Sequence, residues 1–220
     1  MPSGRNSMYF RVEIAGGIAT GKSTLCDALR TRGFSIISED LSENHYLTRT
    51  YNNKAARGVD VGMSFLISKA SAIETYHGNS PIAVVDYAMV AEFAYNDVHL
   101  KNIDQDAHKL MEQAIDLRSR QLGDPHVLIH LHCPVAHQLA NIQKRGRDFE
   151  QGHSAAYLES INDGITHWIN DRIGPDCQKL SFDTSQVDVG SAKFASQLVD
   201  TILKATIVRN APIQNPAPKP

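Results

Sequence analysis

The sequence predicts an α/β fold in which a parallel sheet of about five strands is covered by helices on both faces. Three observations predict it. Short apolar runs alternate with longer segments of helical periodicity along the whole chain, the pattern of strand–helix–strand units. Two of those runs, Ile82-Ala83-Val84-Val85 and Val127-Leu128-Ile129-His130-Leu131, lack the polar alternation of a half-solvated strand and suit a parallel strand buried on both faces. The third is a glycine-rich turn, Gly16-Gly17-Ile18-Ala19-Thr20-Gly21-Lys22-Ser23, set between a strand and a helix.

The elements follow in order. Residues 1–8 are polar and are expected to be disordered. Tyr9–Ile14 is a strand, and Ser23–Arg32 the helix opened by the glycine-rich turn. Gly33 punctuates before a short strand at 34–38, and Asn44–Tyr51 is expected to be helical. Val61–Tyr76 carries Val61, Phe65, Leu66, Ala70 and Ile73 at helical spacing. After the strand Ile82–Val85, helices are expected at about 88–98 and 103–122. Gly123-Asp124-Pro125 leads into the strand Val127–Leu131, then a helix from Val135 to Lys144 and the basic turn Arg145-Gly146-Arg147. A helix over about Ala155–Ile173 places Leu158, Ile161, Ile165 and Trp168 on one face. Lys179–Phe182 is the last strand and Lys193–Val208 the last helix. One domain is expected over 9–208, with a mobile arginine-containing segment at about 145–154 and a Pro-rich tail at 209–220.

Composition narrows the function classes. A formal net charge of −2 argues against a strongly electrostatic binder of duplex nucleic acid and leaves room only for a local basic patch. The three cysteines, Cys26, Cys133 and Cys177, have no C-x-x-C spacing and suit a reduced, cytoplasmic chain. No apolar run is long enough to span a bilayer, and residues 1–7 lack the apolar core of a signal peptide. His130 and His132 share a strand face, but no third ligand stands at suitable spacing, so ordinary hydrogen-bonded histidines are expected.

The stretch from Gly16 to Ser23 matches G-x-x-x-x-G-K-S. In such a phosphate-binding loop, or P-loop, backbone N–H groups from Gly16, Gly17, Ile18, Ala19, Thr20 and Gly21 curl round phosphate oxygens. Lys22 reaches the β- and γ-phosphates, the Ser23 hydroxyl ligates Mg²⁺, and the helix through Thr24 aims its positive end at the anion. ATP and Mg²⁺ are the implied cofactors. Glu39 and Asp86 follow core strands, at the sheet edge where ligands of such folds bind. Carboxylates there suit a base for an attacking hydroxyl and a Mg²⁺ ligand, with helix capping as the alternative for each. Arg145 and Arg147 suit a clamp on the transferring phosphate. Asp183-Thr184-Ser185 suits either a loop round an adenine or a plain turn.

The segment Ile142-Gln143-Lys144-Arg145-Gly146-Arg147-Asp148-Phe149-Glu150-Gln151-Gly152, with Tyr157-Leu158-Glu159 and Trp168, resembles the lid of the deoxyribonucleoside kinases. Glu39-Asp40-Leu41-Ser42-Glu43-Asn44-His45-Tyr46-Leu47 is similar to their E-P-x-x-x-N-P-x-L segment. The resemblance implies a cytoplasmic, homodimeric enzyme of nucleotide salvage that phosphorylates a nucleoside 5′-hydroxyl. It implies Glu39 as general base, Lys22 and Ser23 on the triphosphate and Mg²⁺, and Arg145 and Arg147 as the lid arginines. Tyr51 and Glu150 fall where the family binds the sugar 3′-hydroxyl, and Glu92 where it keeps an acid near the base.

Two departures stand out. Where the family has D/E-R-S, this chain has Asp86-Tyr87-Ala88, and the helix glutamine that bonds the nucleobase aligns with Gly62. Loss of a bidentate amide removes discrimination on the order of 1–3 kcal/mol, and glycine would leave space for a larger acceptor. Lys69, further along that helix, is expected to face the same pocket. Two other readings stand beside the nucleoside kinase. One is a P-loop kinase for a modified nucleoside, a hydroxymethylated base in DNA or another metabolite. The other is a nucleotide-binding regulatory protein without transfer activity.

Overall fold

The computed structural model describes residues 9–38, 58–78, 80–147, 150 and 152–210. The expected helix at Asn44–Tyr51, the N-terminal segment expected to be disordered and most of the Pro-rich tail lie outside them, as do Glu39 and Tyr51.

Five strands form one parallel sheet in the order β2-β3-β1-β4-β5. They are β1 Phe10–Ala15, β2 Ser35–Ile37, β3 Ile82–Val85, β4 Val127–His132 and β5 Gln178–Asp183. The helices are α1 Lys22–Arg30, α2 Val59–Glu74, α3 Ala91–Leu100, α4 Gln105–Leu122, α5 Val135–Arg145, α6 Ala155–Arg172 and α7 Ala192–Asn210. The last helix runs two residues into the segment expected to be tail.

The apolar strands sort their side chains by parity, as a pleated sheet requires. Val12, Ile14, Val84, Val127, Ile129 and Leu131 pack with α1 and α7 residues such as Leu25, Leu29, Leu198 and Ile202. Ala15, Ala83, Val85 and Leu128 pack on the other face, with α2, α3, α4 and α6. Both faces are therefore covered, and the strand ends beside the P-loop are where a site can open.

Charge breaks the pattern in one place. Arg11 and Glu13, each 2% exposed, form an ion pair at 2.9 Å on β1. The guanidinium donates to the carbonyls of Leu122 (3.0 Å) and Gly123 at the end of α4. Glu13 Oε2 accepts the Met89 N–H at 3.0 Å, which ties the turn after β3 to β1. Burial pushes the Glu13 carboxyl above its ordinary pKa, against the pull of Arg11. The ion pair and these backbone bonds are what make the charges tolerable in a core strand.

Candidate active site

The P-loop joins β1 to α1. Gly21 caps the helix at φ 96°, in the left-handed region, and Ala19 also has positive φ, 59°. A non-glycine residue in that region costs about 1–2 kcal/mol, so its surroundings must hold it there. Within the loop Lys22 Nζ donates to the carbonyls of Gly16 (2.9 Å) and Gly17 (2.8 Å), and Thr20 Oγ1 donates to the Gly17 carbonyl (3.0 Å).

Asp86, at the end of β3, meets this loop. Its Oδ2 lies 3.4 Å from Ser23 Oγ, and burial, helped by the Asp86 charge, pushes the Cys26 thiol up. All three cysteines are buried. One hydroxyl and one carboxylate side by side are hard oxygen donors of the kind Mg²⁺ takes while keeping waters and phosphate oxygens. The two residues expected to hold the metal are thus neighbours and chemically fit for it.

From the P-loop a cavity of about 290 Å³ runs between α2, α3 and α6, lined by Lys22 and Asp86 at one end and by Asn96, His99 and Met111 further on. Glu92 and Lys69, both expected to face a substrate, do line it, and they face each other. Lys69 Nζ sits 2.6 Å from Glu92 Oε1, with both side chains buried. The ammonium also lies 5.4 Å from the centre of the Phe65 ring and 5.3 Å from that of Tyr87. Two rings and a carboxylate together stabilise a buried cation. The Tyr87 hydroxyl donates to the Lys69 carbonyl at 2.9 Å. The residue found where the resemblance has arginine is therefore a strut between β3 and α2, and the nearby positive charge comes from Lys69.

Gly62 lines the cavity, as expected of it, beside Met111: a Cβ on Gly62 would lie 2.9 Å from Cε of Met111 on α4, the far end of a flexible side chain. Met111 is buried, and its thioether adapts to irregular space. The helix carrying Gly62 thus meets an apolar wall.

Arg145, Arg147 and Glu150 come together. Glu150 Oε1 is 3.1 Å from Arg145 Nη1 and 3.2 Å from Arg147 Nη1, and the carboxylate is buried while both cations are partly exposed. Next along the chain, His153 stacks on Tyr157 with ring centres 4.8 Å apart, and the Tyr157 hydroxyl lies 3.1 Å from His99 Nε2. These three rings wall the cavity. His99 and His153 were not singled out from the sequence, and Tyr157 entered there only as part of the lid resemblance.

Trp168 is half-buried against Phe93, 4.7 Å between ring centres, and donates to Asp97 at 2.9 Å, so it belongs to the core. Asp183 accepts from both the N–H and the hydroxyl of Ser185, at 2.9 and 2.7 Å, a closed turn. Beyond that turn, the Val189 side chain lies 3.2 Å from where a Cβ on Gly21 would be. Among the described residues no group of three His, Cys, Asp or Glu side chains could hold a metal ion, and no helix is long and apolar enough to cross a membrane.

Burial, and the neighbouring His132, push His130 down from 6.5 to about 4. As pH falls, the unfolded chain takes up this proton near 6.5 and the folded chain only near 4. The His130 contribution is therefore complete above 6.5 and is lost on acidification, on the order of 1–3 kcal/mol for a partly buried group. Urea melts across that window should show a shallower acid loss for His130→Gln than for the wild type. Parallel curves would refute it.

Comparison with known proteins agrees with this geometry. A family model described as deoxynucleoside kinase matches residues 12–207. The chain is similar to deoxyguanosine kinase of Bacillus subtilis (strain 168), 26% identical over 156 residues that cover 68% of this chain and 73% of the relative. It is also similar to deoxyadenosine/deoxycytidine kinase of the same strain, 24% identical over 166 residues, 72% of this chain and 76% of the relative. In fold it resembles deoxyadenosine kinase from M. mycoides. The dCTP-bound structure of that protein aligns with TM-score 0.72 at 20% identity, covering 89% of this chain and 100% of the neighbour. The dATP-bound structure aligns with TM-score 0.73, at the same identity and coverage.

Proposed function

The chain belongs to the deoxynucleoside kinase family, phosphotransferases that act on a hydroxyl group, and on that premise we propose that it carries the γ-phosphate of ATP to the 5′-hydroxyl of a (deoxy)ribonucleoside. The observation that carries the proposal is the single cavity that begins at Lys22 and Asp86 and reaches the Lys69–Glu92 pair. Such a cavity seats a phosphate donor at one end and a flat polar group between aromatic walls at the other.

In this reading Glu39 takes the proton from the 5′-hydroxyl as the bond to phosphorus forms. Lys22 neutralises the β- and γ-phosphates, and Ser23 and Asp86 hold Mg²⁺. The metal, when bound, offsets charge on the phosphate oxygens. Arg145 and Arg147 exchange the Glu150 carboxylate for the oxygens of the transferring group, since guanidinium matches either partner in geometry and charge. Glu150, so released, and Tyr51 bind the sugar 3′-hydroxyl. Lys69 and Glu92 face the nucleobase beside Tyr87 and Gly62.

ATP consumption against a panel of natural deoxyribonucleosides and ribonucleosides tests this directly. Transfer to one or two of them is expected, and Glu39→Gln should lose it by about 10²–10⁴-fold while ATP affinity stays near that of the wild type. Undiminished turnover in Glu39→Gln would remove Glu39 as the base. Silence across the panel, with ATP still bound, would favour an acceptor outside the natural nucleosides.

A further inference from the structure

Three amide side chains hold the P-loop from outside, and none belongs to the phosphate-binding motif. Gln138 on α5, fully buried, donates from Nε2 to the Ile18 carbonyl at 2.8 Å. Its amide also pairs reciprocally with Asn162 of α6: Asn162 Nδ2 donates to Gln138 Oε1 at 2.7 Å, and Gln138 Nε2 approaches Asn162 Oδ1 at 3.3 Å. One turn along α5 from Gln138, Asn141 Nδ2 donates to the Ala19 carbonyl at 3.0 Å. The fit is close: a Cβ on Gly17 would lie 2.2 Å from Asn162 Oδ1 and 3.0 Å from Gln138 Nε2. Glycine at 17 is what lets the loop rest on the amide pair.

Peptide planarity turns these contacts into a statement about the other side of the loop. In a trans peptide the carbonyl and the following N–H point in opposite directions. Drawing the Ile18 carbonyl out toward Gln138 turns the Ala19 N–H inward, and drawing the Ala19 carbonyl out toward Asn141 does the same for the Thr20 N–H. Those two carbonyls bracket Ala19, the one non-glycine residue of positive φ among the described residues. The anchors therefore hold the strained step of the loop.

We infer that Gln138, Asn141 and Asn162 are positioning residues for the triphosphate, which hold the Ala19 and Thr20 N–H groups in their phosphate-facing orientation before nucleotide arrives. A loop set in advance spares the nucleotide the cost of ordering it. Asn141 also stands one helical turn before Arg145 on α5, so the same rigid element carries a loop anchor and an arginine proposed for the transferring phosphate. The inference rests on the donor half of the proposed function and is independent of which hydroxyl is phosphorylated.

Asn141→Ala is the test. Asn141 is only partly buried and alanine is a strong helix former, so the fold should persist. The dissociation constant for ATP with Mg²⁺, measured by calorimetric titration, should rise roughly three- to tenfold for one lost hydrogen bond. The melting temperature and the KM for the acceptor should stay at wild-type values. Asn141→Gln keeps the amide donor on a longer arm and should recover part of the affinity. Unchanged ATP affinity in Asn141→Ala would overturn the inference. So would loss of ATP affinity, acceptor affinity and melting temperature together, which is what general loosening produces. The titration needs no acceptor, so a wild-type chain inert toward every nucleoside would count against the acceptor reading while Asn141→Ala still decides this one.

Discussion

Replacing Lys22 by alanine should lower kcat/KM by at least about 10²–10³-fold, the loss that follows removal of one preorganised donor from a site of developing charge. Lys22 is the cation of the P-loop itself. Its ammonium bonds the Gly16 and Gly17 carbonyls. A triphosphate offers that ammonium charged oxygens in place of neutral ones, which strengthens each bond. The alanine variant loses both the attraction for ATP and the neutralisation of charge during transfer. Its fold should hardly change, because the side chain is only partly buried and alanine suits the first turn of α1. Steady-state kinetics with a melting curve on the same preparation check this. A variant that melts normally and retains more than a tenth of wild-type turnover would show that Lys22 does not serve the phosphates.

The second large effect is on stability. Glu92→Leu should cost about 3–5 kcal/mol, because it removes the carboxylate 2.6 Å from the Lys69 ammonium in a buried site. In a chain of 220 residues that is a fall in melting temperature on the order of 10 °C. The pair Lys69→Met with Glu92→Leu should regain most of the loss, since apolar groups of similar volume need no partner there. The coupling between the two changes is then large and of opposite sign to each alone. Transfer should not return with stability, because the double variant presents neither charge to the acceptor. Additive losses would show that the two residues do not depend on each other. Full activity in the double variant would remove both from substrate recognition.

The recovery of stability without activity separates two roles that a single substitution at either position would confuse. Met111 belongs to the same wall. Its thioether lies beside Gly62 and lines the same cavity as the Lys69–Glu92 pair. Lys69 was legible as pocket-facing from its place on the helix of Gly62, and Glu92 from the family pattern. That they satisfy each other was not, because they lie on different helices.

Much of the architecture could be read along the chain, for a physical reason. Strand β3 has the bounds expected of it, Ile82–Val85, because a short, wholly apolar run between a proline turn and an acid leaves few other structures open to it. The loop from Gly16 to Ser23 was legible because its chemistry is local: glycine at fixed offsets, lysine and a hydroxyl next to one another, and a strand and helix on either side. Properties of this kind depend on neighbours within a few residues, and sequence by itself determined them.

Tertiary structure decided the rest, wherever a side chain's partner is remote in sequence. Arg11 and Glu13 alternate with apolar residues in the first strand, yet both are buried, and only their ion pair, the end of α4 and the turn after β3 make their charges acceptable there. The neighbour of Gly62 in the cavity wall, Met111, comes from α4, 49 positions on in the sequence. Arg145, Arg147 and Glu150 were assigned to two different parts of a substrate, yet the fold gathers them into one ion cluster. Gln138 and Asn162 are ordinary polar residues of two amphipathic helices until packing sets their amides under the P-loop. Patterns of burial are written along the chain, whereas the partner that satisfies a buried charge or amide is chosen by which elements the sheet order brings together.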